Sequence, residues 1–235
     1  MTVEYPDDCL QSLAEPWWEK TEKADLRRGR LLWSFIPHAD QIPWALIPVG
    51  RSEPTDHHRG DYRIEQLRAK QPPTAPRLPV AALPQYPGEA YIAQRAKKRP
   101  ALVLYERGGD IPPALRGGSS AKWMTNPTLL VAPYYGTEPN QKRGGWNPKL
   151  VERIRHCEFP QYLWDKLPIG GAEFSILRFD HLQPIGHHHD TYEATSYCLS
   201  KGALELVDEW LQWLMTGRMS QEGILLGVRE GLMRL

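Results

Sequence analysis

The chain has 235 residues, 41% of them hydrophobic, which is enough for one packed core. With 29 Lys and Arg against 28 Asp and Glu, its net charge of +1 excludes a uniformly basic nucleic-acid-binding coat but allows a local basic patch. A mean hydropathy of −0.53 and the lack of a long apolar run predict no membrane span. Three widely spaced cysteines and an acidic, proline-broken start favour a cytoplasmic protein with reduced thiols.

The first predicted elements are an N-terminal arm or short helix over 1–25 and two strands. The segment GRLLWSFIP, from Gly29, and the later segment WALIPVG are short apolar runs of large side chains, which favour strands. Further on, YRIEQLRAK predicts one or two helical turns, and the six prolines from Pro72 to Pro87 allow neither a helix nor a central strand. We therefore interpret 51–90 as a long Pro-rich insertion.

The rest of the chain predicts more strands and then helices. RPALVLYER, from Arg99, and TLLVAPYYG, from Thr128, are buried-strand patterns, and FPQYLWDKLP and AEFSILRFDHLQPI predict further short strands. After Ser200 the apolar period becomes helical, with Ser200 and Gly217 as caps, and a second short helix follows. The predicted buried stripe is Leu204, Val207, Leu211 and Leu214, widened by Trp210 and Trp213. This pattern predicts a mainly β fold, a small barrel with C-terminal helices.

The order of these segments resembles the PemK/MazF family of toxin endoribonucleases, which are built on an SH3-like β-barrel. The family's first strand opens with a Gly-x-hydrophobic-hydrophobic-Trp pattern, matched here from Gly29 to Trp33. Its second strand is entered through Arg-Pro, matched at Arg99, and its third ends at a proline, matched at Pro133. The resemblance implies a single domain over 1–235, with an SH3-like barrel over 26–190, an insertion at about 51–90, and helices over 199–235 packed on the barrel.

The resemblance also implies a catalytic site. In the family, the arginine before the proline contacts the scissile phosphate, a role that falls to Arg99, and a threonine after the third strand's proline assists it, a role that falls to Thr137. Gln94 stands where many members carry an acidic residue and completes the predicted catalytic set. The predicted nucleic-acid-binding residues are Arg95, Lys97, Lys98, Tyr134 and Tyr135.

The chemistry of RNA cleavage agrees with an arginine at this position. When the 2′-OH of RNA attacks the adjacent phosphorus, the protein must stabilise negative charge, and the rigid fork of a guanidinium suits that task. An arginine accepts protons poorly because its pKa lies above about 12. A base must therefore come from elsewhere, and the available imidazoles are His156, His181 and the run 187–189. We expect the cations near Arg99 to attract the polyanion, and exposed tyrosines to stack with bases.

We expect a metal-independent endoribonuclease of the toxin type, which cleaves single-stranded RNA, forms a homodimer and is regulated by an antitoxin or other protein. Two alternatives stay open: a non-catalytic SH3-like barrel that binds nucleic acid or a partner protein, and a gyrase-targeting toxin on the same barrel. A separate alternative for Lys97 and Lys98 is that they serve only as gatekeepers against aggregation beside an apolar strand. We predict no metal or cofactor, because the run GHHHD lacks the spacing of a zinc site and the Gly-rich segments lack that of a P-loop.

Overall fold

Strands predominate in the computed structural model of the chain, which places eleven strands and three α-helices in the residues that it describes. The described residues are 3–14, 16–22, 25–53, 55–56, 59–70, 88–106, 112–115, 128–139, 144–170, 174–187 and 190–234. The strands are β1 (Trp18–Lys20), β2 (Arg30–Pro37), β3 (Trp44–Gly50), β4 (Asp61–Gln66), β5 (Tyr91–Ala93), β6 (Ala96–Tyr105), β7 (Thr128–Gly136), β8 (Tyr162–Lys166), β9 (Phe174–Arg178), β10 (Gln183–Gly186) and β11 (Tyr192–Leu199). The helices are α1 (Pro148–Arg155), α2 (Lys201–Thr216) and α3 (Ile224–Leu232).

The larger sheet has eight strands and curls into a half-barrel. Seven of its strands follow the order β1–β11–β2–β6–β7–β9–β8, and the eighth, β10, lies outside this order and pairs with β7. Strand β7 is paired antiparallel along both edges, with β6 on one side and with β10 and then β9 on the other. A 3-10 helix over Phe179–His181 forms the corner between β9 and β10. The prediction of a mainly β fold with C-terminal helices is confirmed.

The chain divides into two compact units. The first comprises Met1–Phe35 and Lys98–Leu235, and the second comprises Ile36–Lys97. The second unit contains a three-stranded antiparallel sheet in the order β4–β3–β5. The predicted domain bounds and the SH3-like topology stay predictions.

The expectation of helical turns in YRIEQLRAK is wrong. Asp61–Gln66 forms β4, which pairs antiparallel with β3 so that Ile64 lies opposite Leu46, with one register shift between Pro48 and Gly50. Pairing with a neighbouring strand supplies the hydrogen bonds that a short isolated helix would have made within itself, and it outweighs the weak local preference. The prolines from Pro72 to Pro87 lie outside the described residues.

In the described part of the first unit, two clusters of buried side chains cover opposite faces of β8 and β9. Neighbouring residues of a strand point to opposite faces of its sheet, so Leu163 and Leu177 enter the larger cluster while Trp164 and Ile176 enter the smaller one. Ile154 of α1 closes the smaller cluster. The β8 and β9 region of the sheet is therefore covered on both faces, which fixes its side chains in place.

The predicted N-terminal arm includes a 3-10 helix over Leu10–Leu13 and strand β1, which pairs with β11. Arg30, at the start of β2, is fully buried and holds the chain that follows β1. Its guanidinium donates hydrogen bonds to the carbonyls of Asp25 (Nε–O 2.8 Å), Glu22 (2.9 Å) and Thr195 (3.2 Å). A buried charge is tolerated there because carbonyl oxygens surround it.

Helix α2 begins and ends where the sequence predicts. The Ser200 Oγ accepts a hydrogen bond from the backbone N–H of Ala203 at 3.2 Å, and Gly217 adopts a left-handed φ of 69°. The predicted stripe is wrong in part, because Leu204, Leu211 and Leu214 are only partly buried. The expected burial of Val207, Trp210 and Trp213 is confirmed, and the other buried residues of the helix are Ala203 and Leu206.

Truncation of Leu206 tests this placement of the helix. Leu206 is 4% exposed, so Leu206→Ala should lower the free energy of unfolding by about 2–5 kcal/mol through lost burial and a cavity. Met215→Ala is the control on the same helix, since Met215 is 77% exposed and its truncation should change stability by less than about 0.5 kcal/mol. Equal urea midpoints for the two variants would contradict the packing.

Candidate nucleic-acid interface

Four side chains from adjacent strands form a line of alternating cations and rings, which we name the cation–aromatic row: Arg99, Tyr135, Arg178 and Tyr162. The Cζ atom of Arg99, on β6, lies 4.0 Å from the ring centroid of Tyr135, on β7. The Cζ atom of Arg178, at the end of β9, lies 5.4 Å from the same ring and 5.3 Å from the ring of Tyr162, on β8. All four side chains are half-buried, and each guanidinium lies within the range of a cation–π interaction.

The pairing of the strands explains the row. In the order β6–β7–β9–β8, each strand lies about 4.8 Å from the next, so side chains that share a face meet in a line across the sheet. Tyr162 lies directly opposite Arg178 in the antiparallel pair of β8 and β9. Arg99 and Arg178 are 79 positions apart in the chain, yet both thus reach the ring of Tyr135.

A histidine and a carboxylate flank the row at the corner after β9. The Tyr135 Oη and the His181 Nδ1 are 2.8 Å apart, and the two rings meet edge to face. Asp180 binds the guanidinium of Arg178 through both oxygens, with Nε–Oδ1 at 2.9 Å. That hydrogen bond raises the pKa of Arg178 above its ordinary value, so Arg178 stays charged.

Further rings continue from Tyr162. It packs edge to face with Trp146 at 5.8 Å and with Phe159 at 6.5 Å between centroids. The Cζ atom of Arg153 lies 5.0 Å from the ring of Phe159, and its guanidinium is paired with Glu158. These half-buried rings also cover the smaller core, so their positions are fixed by packing.

Two predicted site residues, Tyr134 on β7 and Thr137 directly after it, lie outside the row. The expectation that Tyr134 offers a stacking surface is wrong, because the ring is 2% exposed and its hydroxyl donates to Asp165 Oδ2 at 2.9 Å. The Thr137 hydroxyl donates to the carbonyl of Phe174 at 3.1 Å, and its side chain is buried. Tyr135 does lie at the surface, but its ring contacts Arg99 instead of being an open platform.

The predicted cations and Gln94 are exposed. Lys98 belongs to the first unit, where its Nζ lies 2.8 Å from Glu193 Oε2 in an exposed ion pair. Gln94, Arg95 and Lys97 belong to the second unit, and the Arg95 carbonyl accepts the backbone N–H of His38 there. The four residues of the row all belong to the first unit.

Sequence reasoning did not find Arg178, Asp180 or Tyr162. A usable signal was present, because Arg178 bounds the apolar strand FSILR just as Arg99 bounds RPALVL. The strand order that joins the two arginines to one ring is not visible in the sequence, since it depends on long-range pairing. His181, by contrast, was among the imidazoles named from the sequence, and its ring does contact the row at Tyr135.

On the other face of the same strands lies a buried carboxylate, Asp165. It accepts hydrogen bonds from the hydroxyls of Tyr5 and Tyr134, both at 2.9 Å, from Trp17 Nε1 at 3.4 Å and from the backbone N–H of Lys166 at 2.8 Å. Burial raises the pKa of Asp165 to about 6, although these hydrogen bonds favour the charged form. Burial, together with the adjacent carboxylate, also raises the pKa of Tyr5 and Tyr134.

Asp165 should make stability depend on pH. Because its pKa is about 6 in the folded state and near 3.8 when unfolded, the folded state binds the proton more tightly. The free energy of unfolding of the native protein, relative to Asp165→Asn, should therefore fall by about 3 kcal/mol as pH rises from about 3, below the unfolded pKa, to about 7, above the folded one. Urea unfolding of both proteins measures this difference, and a difference that does not change with pH would contradict it.

In comparisons with family models, with characterised proteins and with solved structures, nothing matches this chain. Within the described part of the chain, no group of three or more His, Cys, Asp or Glu side chains converges as a metal site would require. No helix in that part combines the length and hydrophobicity of a membrane span.

Proposed function

We propose that this protein is a metal-independent endoribonuclease that cuts single-stranded RNA through attack by the 2′-OH, with Arg99 and Arg178 stabilising the phosphorane. The observation that carries this proposal is the guanidinium of Arg99 at 4.0 Å from the Tyr135 ring, whose hydroxyl is bonded to His181. A fixed cation, a second cation and a titratable imidazole around one ring are the groups that this reaction needs.

The row supports charge stabilisation in two ways. Contact with the Tyr135 ring orients the guanidinium of Arg99, so less side-chain entropy is lost when phosphate binds. Arg178 is oriented by Asp180 and keeps its charge, so a phosphate that meets Arg99 also lies in the field of a second cation. Partial burial of both side chains strengthens these interactions relative to bulk water.

Single-stranded RNA suits the surface better than a duplex. Unpaired bases can turn out and stack on aromatic rings, and Tyr162, Trp146 and Phe159 form a cluster of half-buried rings beside Arg178. Control by an antitoxin or other partner protein, and a homodimer, follow from the resemblance to PemK/MazF toxins and stay predictions.

A second candidate function is RNA binding without cleavage. It is favoured by the hydroxyl of Thr137, which is bonded to the carbonyl of Phe174 and faces the backbone instead of a substrate. On this alternative the row would hold phosphates and bases, and no bond would be broken.

Cleavage of a labelled single-stranded RNA in EDTA tests the proposal. We expect the RNA to be cut and the same oligonucleotide with 2′-deoxyriboses to stay intact, because the nucleophile is then missing. Cutting of the deoxy oligonucleotide would rule out 2′-OH attack. Binding of the RNA without any cutting would establish the non-catalytic alternative.

Arg99→Lys tests the role of the guanidinium. The ammonium keeps the charge but lacks the planar fork, so kcat should fall about 100-fold while the RNA dissociation constant changes by less than about threefold. Arg63→Lys is the matched control, since Arg63 is exposed on β4 and paired with Glu65. Equal kcat values for Arg99→Lys, Arg63→Lys and the native protein would remove Arg99 from the reaction.

A further inference from the structure

We propose that the hydrogen-bonded pair of Tyr135 and His181 is the proton acceptor of this reaction. In this arrangement the Tyr135 hydroxyl contacts the 2′-OH of the RNA, and His181 takes up the proton. The inference rests on the function proposed above and supplies the base that an arginine cannot provide.

The pair is held rigidly. The Oη–Nδ1 distance of 2.8 Å is that of a formed hydrogen bond, and the rings are nearly perpendicular at 80°. His181 ends the 3-10 corner that begins at Phe179, whose ring is buried beside Trp210 and whose backbone N–H donates to Gln161. A fixed corner keeps the imidazole at the tyrosine without relying on substrate to order it.

The reaction needs no reactant other than the RNA and water. The Tyr135 oxygen accepts the proton of the 2′-OH while its own proton passes to Nδ1 of neutral His181. The 2′ oxygen bonds to phosphorus, the bond from phosphorus to the 5′ oxygen breaks, and that oxygen takes a proton from water. The hydroxide so formed removes the proton from His181. The products are a 2′,3′-cyclic phosphate and a 5′-hydroxyl.

The neighbouring charges favour transfer through the tyrosine. Arg99 and Arg178 lie 4.0 and 5.4 Å from the Tyr135 ring and stabilise negative charge that develops on its oxygen. Asp180, adjacent to His181 in the chain, is neutralised in part by its bond to Arg178. In the described part of the chain, Arg99, Arg178 and Asp180 are the charged groups whose positions beside the pair are established, and the Asp180 carboxylate is bound by Arg178 through both oxygens.

His156, at the end of α1, serves as the control histidine. His156 Nε2 lies 3.3 Å from Asp8 Oδ2, and the same oxygen is 2.6 Å from Arg155. This cluster ties the N-terminal segment to the end of α1. Tyr105, at the end of β6 and 48% exposed, is the corresponding control for a lost phenol hydroxyl.

Conservative variants test the pair. Tyr135→Phe keeps the ring under Arg99 but removes the hydroxyl, and His181→Gln removes the proton acceptor, so each should lower kcat at least about 100-fold with RNA affinity unchanged. The double variant should lose no more than either single one, because the two residues act as a unit. Tyr105→Phe and His156→Gln should cleave at the native rate.

The pH dependence separates this inference from the proposed function. For the native protein kcat/KM should fall at acid pH as His181 becomes protonated, and this acid limb should vanish from the residual activity of His181→Gln. Native rates in Tyr135→Phe and His181→Gln, multiplying losses in the double variant, or an unchanged acid limb would each overturn the pair and leave the proposed ribonuclease standing. A native protein that never cuts RNA would overturn both.

Discussion

The antiparallel pairing of β7 along both of its edges is the constraint on which the rest of the first unit depends. Because a paired strand cannot rotate, Tyr134 and Tyr135 must point to opposite faces of the sheet. Tyr134 therefore enters the core and meets Asp165, while Tyr135 emerges between Arg99 and Arg178. One dipeptide thus links a buried polar network to a charged surface.

The buried hydrogen-bond network around Asp165 holds in place the strands that carry the cation–aromatic row. Asp165 accepts hydrogen bonds from Tyr5 and Trp17 of the N-terminal segment as well as from Tyr134, so that segment is joined to the strands that carry the row. A fully buried carboxylate costs free energy unless its oxygens are satisfied, and here each oxygen has two donors. The arrangement restricts the motion of β7 and β8, and so of the rings on their outer face.

Much of the fold was predictable because local chemistry agrees with the final structure. RPALVLY and TLLVAPYYG lie in strands, and Ser200 and Gly217 cap α2, because apolar runs and capping residues act over short distances. The helical turns predicted for YRIEQLRAK were wrong, because Asp61–Gln66 pairs with β3. The resemblance led to Arg99 and Tyr135, and the imidazoles included His181. Arg178 and the burial of Tyr134 depend on which strands neighbour β7, a long-range property that periodicity cannot give.

On the proposed function, RNA phosphate binds at Arg99 and Arg178 beside Tyr135. Side-chain NMR of ¹⁵N-labelled arginines during titration with a 2′-O-methyl RNA, which cannot be cut, tests it most directly. We expect the Nε–H signals of Arg99 and Arg178 to shift and to exchange more slowly with water, whereas the signal of Arg63 stays constant. Shifts confined to other arginines, with Arg99 and Arg178 unaffected at saturation, would contradict it.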